Sequence, residues 1–184
     1  MSDISDRFHR LSDAFERTVA GVPPDGWDRQ SPCADWNARD VVRHIVDVHG
    51  MMLRPLDRTL SPAASVDDDP LAAYRAARRD VAEVVDDPEL QRFEYDGYFG
   101  RTTIGATIDR FLGLDLTVHR WDLARATGQE AAMDPADIAR IRADVTELGA
   151  SARQGNVFGP PIELGDDASA QDRLLGFLGR DPCS

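Results

Sequence analysis

The spacing of apolar residues restricts this chain to a helical fold. In the first twenty residues, large apolar side chains recur every three or four positions. That spacing places them on one face of an α-helix. They are Ile4, Phe8, Leu11, Phe15 and Val19. Similar patterns predict helices over about 2–20, 37–53, 70–85, 103–127, 135–153 and 170–178. We therefore predict an all-α fold, a four-helix bundle with long crossover loops and a short C-terminal extension.

Local signals support several of these boundaries. Asn37 can cap the second helix, and Asp40 follows three residues later, near the positive helix end. Gly128 stands where a helix C-cap is expected. The segment LQRFEYDGYFGRTT, residues 90–103, fits either a loop or a short hairpin.

Composition limits the setting and the partners. A chain of 184 residues with 42% hydrophobic residues suits one domain, 1–184. The net charge of −12 opposes nucleic acid and anionic membranes, which attract clusters of basic residues. No long apolar run or export leader is present, so we expect a cytoplasmic protein that acts on small molecules or proteins.

The cysteines and basic residues narrow the chemistry. Cys33 and Cys183 show no metal-ligand or redox spacing, and we interpret both as free thiols. All 21 basic residues are Arg, which is typical of a high-GC genome. The absence of Lys excludes Schiff-base catalysis by a lysine of this chain.

The stretch DLTVHRWDLARATGQ, residues 115–129, interrupts the apolar stripe of a predicted helix with charged groups. At about 100° per residue, Phe111, Asp115, His119 and Asp122 share one arc. A buried carboxylate must be paired, neutralised or bound to a cation. Asp115 and His119, one turn apart, can bind one metal ion. Equally, they can form an ion pair that fixes helix register, with Asp122 pairing to an arginine of a neighbouring helix.

A third ligand has two candidates on the second helix. His44 lies at the boundary of the apolar arc, whereas His49 lies inside it. The two side chains point about 140° apart, so one ion is not expected to bind both. His9 lies on the polar side of the first helix. Periodicity therefore favours His49 as the third ligand, or does not distinguish it from His44.

Two stretches, SPCADWNARDVVRHIVDV and DLTVHRWDLARATG, resemble the DinB-like metal-binding family that includes the N-terminal domain of mycothiol-dependent maleylpyruvate isomerase. NVFGPPIEL and DRLLGFLGRDP are similar to the C-terminal part of its compact single-domain branch. The resemblance implies a four-helix bundle whose divalent metal is held by His44, Asp115 and His119. The isomerase-like members have Glu where Asp115 stands, and Asp is one methylene shorter. Closer helices or weaker binding would follow.

The resemblance also implies a function. Two imidazoles and a carboxylate suit zinc best, with nickel, iron and manganese as alternatives, and three ligands leave an open coordination position. Mycothiol is the implied thiol co-substrate, and a small electrophile is its partner in a transferase or isomerase reaction. The chain lacks the isomerase's additional C-terminal domain, so maleylpyruvate is not carried over.

Two other functions stay open: a metal- and thiol-binding module without turnover, and a metal-free structural bundle. The sequence also leaves open whether the chain is a monomer or a homodimer. Asp122 would orient a ligating imidazole or close a helix contact. Trp36 and Trp121 are typical packing residues, and Tyr95, Tyr98 and Arg101 lie on a predicted loop near the site rim. No catalytic acid or base is assigned.

Overall fold

The computed structural model describes residues 3–149 and 158–182. The described part is mainly helical, which confirms the predicted fold class at that level. Its elements are α1 (Asp3–Ala20), α2 (Ala38–Leu53), a 3-10 turn (Arg54–Leu56), α3 (Pro70–Val85), α4 (Pro88–Gln91), β1 (Glu94–Gly97), β2 (Gly100–Thr103), α5 (Ile104–Thr107), a π-helical segment (Ile108–Leu112), α6 (Gly113–Thr127), α7 (Pro135–Leu148) and α8 (Ala170–Phe177). Within this part, no helix has the length and apolar character needed to cross a membrane.

The backbone divides into two compact units, Met1–Gln129 and Glu130–Ser184. The first contains α1 to α6 and the hairpin. In the second, α7 contacts α8, and the amide of Ile162 donates to Gly176. The predicted end of the fifth helix near Arg153 lies outside the described residues. The prediction of one domain over 1–184 stays a prediction.

Four long helices of the first unit enclose its core. Helix α1 contacts α3 and α6, and α2 contacts the same two helices. The predicted stripe of α1 faces inward, since Phe8, Leu11, Phe15 and Val19 are buried. Across the core, the Phe15 ring lies 4.9 Å from that of Tyr74. The apolar spacing read from the sequence therefore identifies the buried face of this helix.

The start of α2 is fixed by its cap. The Asn37 side chain accepts from the amide of Asp40 at 2.9 Å, and the Asp40 carboxylate accepts from the amide of Asn37 at 3.1 Å. This reciprocal pair confirms the predicted cap and satisfies two amides at the helix end. The cap fixes the first residue of the helix at Ala38. The position of His44 around the helix axis follows from that start.

The helix predicted over 103–127 is interrupted by the π-helical segment. A π turn contains an extra residue, so it changes the rotational phase of the residues before α6. The uniform 100° rotation used for the sequence is therefore wrong here: Phe111 is only half-buried, whereas Asp109 is buried. Arg7 stabilises the segment by donating to the Asp109 carbonyl at 2.7 Å and to its carboxylate at 2.9 Å.

Most of segment 90–103 forms a hairpin, residues 94–103, so of the two structures considered from the sequence the hairpin is the one observed. Strands β1 and β2 pair antiparallel, with Gly97 opposite Gly100. Gly100 adopts φ of 106°, a conformation that favours glycine. Tyr98 and Phe99 are exposed at the tip.

His49 is a core residue of the first unit. Its ring lies against those of Phe8 and Tyr74, and its Nδ1 donates to the carbonyl of Ile45 at 2.7 Å. Nε2 is buried and has no hydrogen-bond partner among the described residues. Protonating Nε2 would bury an unsatisfied donor, so burial lowers the pKa of His49 from 6.5 to about 4.

This shift predicts a pH dependence of stability. The folded protein favours the neutral ring of His49. Its contribution to the free energy of unfolding is therefore complete above pH 6.5 and is lost as the pH falls towards about 4. Over that window we expect the metal-free protein to lose about 3 kcal/mol of unfolding free energy. Urea denaturation at a series of pH values, with chelator present, measures it. His49→Leu should flatten the dependence and His9→Gln should not. Equal pH slopes for the wild type and His49→Leu would contradict the prediction.

Candidate metal centre

The three predicted ligands lie together between α2 and α6. Helix α2 supplies His44, and α6 supplies Asp115 and His119. One Asp115 oxygen, Oδ2, lies 3.6 Å from Nε2 of His44, and the other, Oδ1, lies 3.9 Å from Nε2 of His119. One ligand atom from each residue lies within 4.8 Å of the other two. The carboxylate therefore lies beside both imidazoles, whose ring centres are 4.7 Å apart.

This spacing fits a divalent ion. Tetrahedral zinc, with bonds of about 2.0–2.2 Å to nitrogen and oxygen, separates its ligand atoms by about 3.3 Å. The observed separations of 3.6 Å and 3.9 Å need only a small contraction. The shorter Asp115 side chain thus reaches both histidines. The same distances suit an ion pair without metal, so metal binding by the three residues stays a prediction.

The centre has a solvent-facing side. The His44 and Asp115 side chains are 30% and 23% exposed, whereas that of His119 is 8% exposed. A ligand from solvent can therefore approach from the His44 and Asp115 side. This asymmetry is expected of a metal position that leaves a coordination site open.

A buried carboxylate fixes the orientation of His119. Nδ1 of His119 lies 2.9 Å from Oδ2 of Asp122, which is fully buried. We assign the proton to Nδ1 because the carboxylate is an acceptor. Nε2 then keeps its lone pair and faces Asp115. Asp122 thus has the geometry of the imidazole-orienting group considered from the sequence.

Cys33 lies at the opposite edge of the His119 ring, a position that its place in the sequence did not reveal. Its Sγ donates to Oδ2 of Asp122 at 3.2 Å and lies 3.9 Å from Nδ1 of His119. A contact between residues 86 positions apart produces no spacing pattern in the sequence. The available signal was the position of Cys33 in SPCADW, immediately before the helix that carries His44. Cys183 lies outside the described residues.

Trp36 packs against both imidazoles. Its ring centre lies 4.8 Å from that of His44 and 5.6 Å from that of His119. Trp36 is therefore a packing residue, as expected from the sequence, and it packs at the candidate metal centre. The indole limits the rotation of both rings and covers part of them from water.

A tight loop presents Cys33 and Trp36. The side-chain nitrogen of Gln30 donates to the carbonyls of Ser31, Cys33 and Trp36 at 3.0, 3.1 and 2.9 Å. Asp35 has φ of 65°, a left-handed conformation that Asp tolerates better than most residues. These constraints close the chain on itself just before α2 and direct both side chains towards α6.

The remaining histidines lie elsewhere. His49, which periodicity favoured, faces the core and is in neither of the ligand-type clusters found among the described residues. His9 is half-buried and lies 2.9 Å from a carboxylate oxygen of Asp86. The choice of His44 over His49 thus agrees with where the structure places the two rings.

The loop residues named from the sequence belong to the hairpin region. Arg101 pairs with Glu94 at 3.0 Å on the exposed face. The Tyr95 hydroxyl donates to Thr107 at 2.8 Å, and Tyr98 is 85% exposed. These contacts stabilise the hairpin, and none of the three residues is in the ligand-type clusters of the described chain.

The family described as mycothiol maleylpyruvate isomerase N-terminal domain matches residues 8–124. The chain belongs to this family. The match lies inside the first compact unit and includes His44, Asp115 and His119, together with Cys33 and Asp122. The first compact unit therefore contains both the family match and the candidate metal centre.

Two relatives extend the similarity beyond that unit. The uncharacterized proteins Rv0738 and MT0763, from the H37Rv and CDC 1551 strains of Mycobacterium tuberculosis, are each 30% identical over 176 residues. Each alignment covers 93% of this chain and 94% of the relative. No solved structure matches the chain significantly.

The contact between Asp122 and His119 predicts a role in metal affinity. Asp122→Asn keeps an acceptor for Nδ1 but removes the negative charge that makes the ring a stronger ligand. We expect zinc to bind about 10- to 100-fold more weakly. Competition with a chromophoric chelator measures this, in a chain carrying Cys33→Ser and Cys183→Ser so that no thiol of the protein contributes. The matched control is Asp109→Asn, on the π-helical segment, which should reduce stability but leave affinity unchanged. Equal effects of the two variants on affinity would contradict the assignment.

Proposed function

We propose that the first unit is a DinB-like four-helix bundle that binds a divalent metal and activates a low-molecular-weight thiol, mycothiol, for transfer to or isomerisation of a small electrophile. The observation that carries the proposal is the meeting of His44, Asp115 and His119 at a solvent-facing position. It is supported by membership of a family whose description includes mycothiol. The contacts between α1, α3, α2 and α6 agree with the bundle.

The chemistry needs a deprotonated thiol at neutral pH. A divalent ion at this position, with zinc preferred and nickel, iron or manganese as alternatives, would lower the pKa of a ligating thiol sufficiently. Asp115 lies beside both imidazoles, and the Asp122 carboxylate accepts from Nδ1 of His119. Trp36 shields part of both rings, so an incoming thiol approaches from the exposed side of His44 and Asp115.

The proposed partners are a small thiol and a small electrophile, in a cytoplasmic protein. The net charge of −12 supports small-molecule partners, because it opposes binding to nucleic acid and anionic membranes. Asp122 and Cys33 lie at the Nδ1 edge of His119, where the Asp122 carboxylate accepts from the ring and from the Cys33 thiol. We therefore assign neither residue to the electrophile.

Metal content tests the proposed ligands. The measurement uses a chain in which Cys33 and Cys183 are both replaced by serine, because Cys33 offers another ligand atom close to His119. His44→Ala in this background should lose bound zinc, whereas His49→Ala should retain it and be less stable. Elemental analysis of tag-free protein gives the result. Loss of zinc from the His49 variant with retention by the His44 variant would reverse the assignment.

Thiol binding tests the proposed function. In the same cysteine-free chain loaded with cobalt, titration with mycothiol should produce a sulfur-to-cobalt charge-transfer band and release a proton. The band should be missing from the apo protein and from His119→Ala. A transferase or isomerase should also consume an electrophile faster than free thiol does, whereas a binding module should show only saturable binding. Bound cobalt without a band at saturating thiol would exclude thiol activation.

A further inference from the structure

A second cluster of ligand-type atoms lies at the Nδ1 edge of His119. It consists of Sγ of Cys33, Oδ2 of Asp122 and Nδ1 of His119. The sulfur lies 3.2 Å from the carboxylate oxygen and 3.9 Å from the ring nitrogen, and the oxygen and nitrogen are 2.9 Å apart. The first cluster uses the opposite nitrogen of the same ring, Nε2.

These distances suit a tetrahedral ion. Zinc bonds of about 2.3 Å to sulfur and about 2.0–2.2 Å to nitrogen and oxygen separate the ligand atoms by about 3.3–3.5 Å. Each observed separation differs from that range by about half an ångström or less. In the first cluster, the Asp115 carboxylate oxygens lie 3.6 Å from His44 and 3.9 Å from His119.

We propose that Cys33, Asp122 and Nδ1 of His119 form a second metal position that takes thiophilic divalent ions such as zinc, cadmium and cobalt. Binding forms one bond from the ion to each of the three atoms. The Cys33 proton leaves to solvent. The His119 proton moves from Nδ1 to Nε2 when no ion is held by Nε2, and leaves to solvent when both nitrogens hold an ion. His119 is then a bridging imidazolate.

The surroundings favour such ions. Asp122 is fully buried and His119 is nearly so, whereas Cys33 is half-buried and marks the entry side. A cation there acquires a carboxylate and a thiolate as partners for its charge, in a region shielded from water. The thiolate selects softer ions than do the nitrogen and oxygen atoms of the first position.

Cobalt absorbance without added thiol tests the second position. Wild type, His44→Ala, Cys33→Ser and Cys183→Ser are titrated to two equivalents, with folding checked by circular dichroism. Wild type and His44→Ala should each show a sulfur-to-cobalt band. Cys33→Ser should lose it, and the matched control Cys183→Ser should keep it.

Three results would overturn the proposal: no band in wild type at saturating cobalt, a band that survives Cys33→Ser, or a band that disappears with Cys183→Ser. A serine at position 33 can still donate to Asp122, so Cys33→Ser is the least disruptive removal of the sulfur. If it does not fold, X-ray absorption of zinc-loaded Cys183→Ser decides. One sulfur at about 2.3 Å is expected, and only nitrogen and oxygen neighbours would reject the position.

The outcome is independent of the proposed function. The His44→Ala chain lacks a ligand of the first position but keeps all three of the second. A band in that chain supports the second position even if the first binds no metal. Conversely, thiol activation in the cysteine-free chain can succeed while the second position fails. The two proposals therefore fail separately.

Discussion

The hydrogen bond between Nδ1 of His119 and the buried carboxylate of Asp122 fixes which edge of the ring faces Asp115 in the candidate metal centre. Its length is 2.9 Å, and both residues belong to α6, one turn apart. The bond assigns the ring proton to one nitrogen and leaves the other as a lone-pair donor. Without it, the ring could turn or change tautomer, and the cluster with His44 and Asp115 would lose its defined geometry.

This bond depends on burial, and burial depends on the packing of α6. Helix α6 contacts α1 and α2, and most of its residues are buried. A fully buried carboxylate costs several kcal/mol unless donors surround it. His119 and the thiol of Cys33 are two of those donors. The Gln30-bonded loop that carries Cys33 therefore contributes to the orientation of a ring on a helix distant in sequence.

The sequence predicted the parts of the fold that depend on local periodicity and local capping. The buried stripe of α1 and the Asn37–Asp40 cap are read directly from neighbouring residues, and the structure confirms both. The π-helical segment was not predictable in this way, because its extra residue breaks the period on which the wheel relies. Phe111, which the wheel placed on the apolar stripe, is half-buried.

Site residues follow the same division. Asp115 and His119 were recognised because they are one helical turn apart. The preference for His44 over His49 as a ligand came from the family resemblance, because the helical periodicity of α2 favoured the more buried His49. Cys33 needs the tertiary fold, because only the packing of its loop against α6 brings the thiol to Asp122. Contacts between distant segments carry no period that a single sequence reveals.

The two edges of His119 connect the proposals physically. An ion at Nε2 benefits from the negative charge of Asp122 through the Nδ1 hydrogen bond, whereas an ion at Nδ1 replaces that bond with coordination. When only one position is filled, the ring proton lies on the nitrogen opposite the ion. The two arrangements therefore require different tautomers of His119. Under these two proposals, an ion that favours only nitrogen and oxygen would bind the Asp115 edge, whereas zinc, which also binds sulfur, would suit either edge. If both proposals hold, the available metal would therefore influence which edge of the imidazole binds an ion, and whether the exposed side of the centre is left for a thiol.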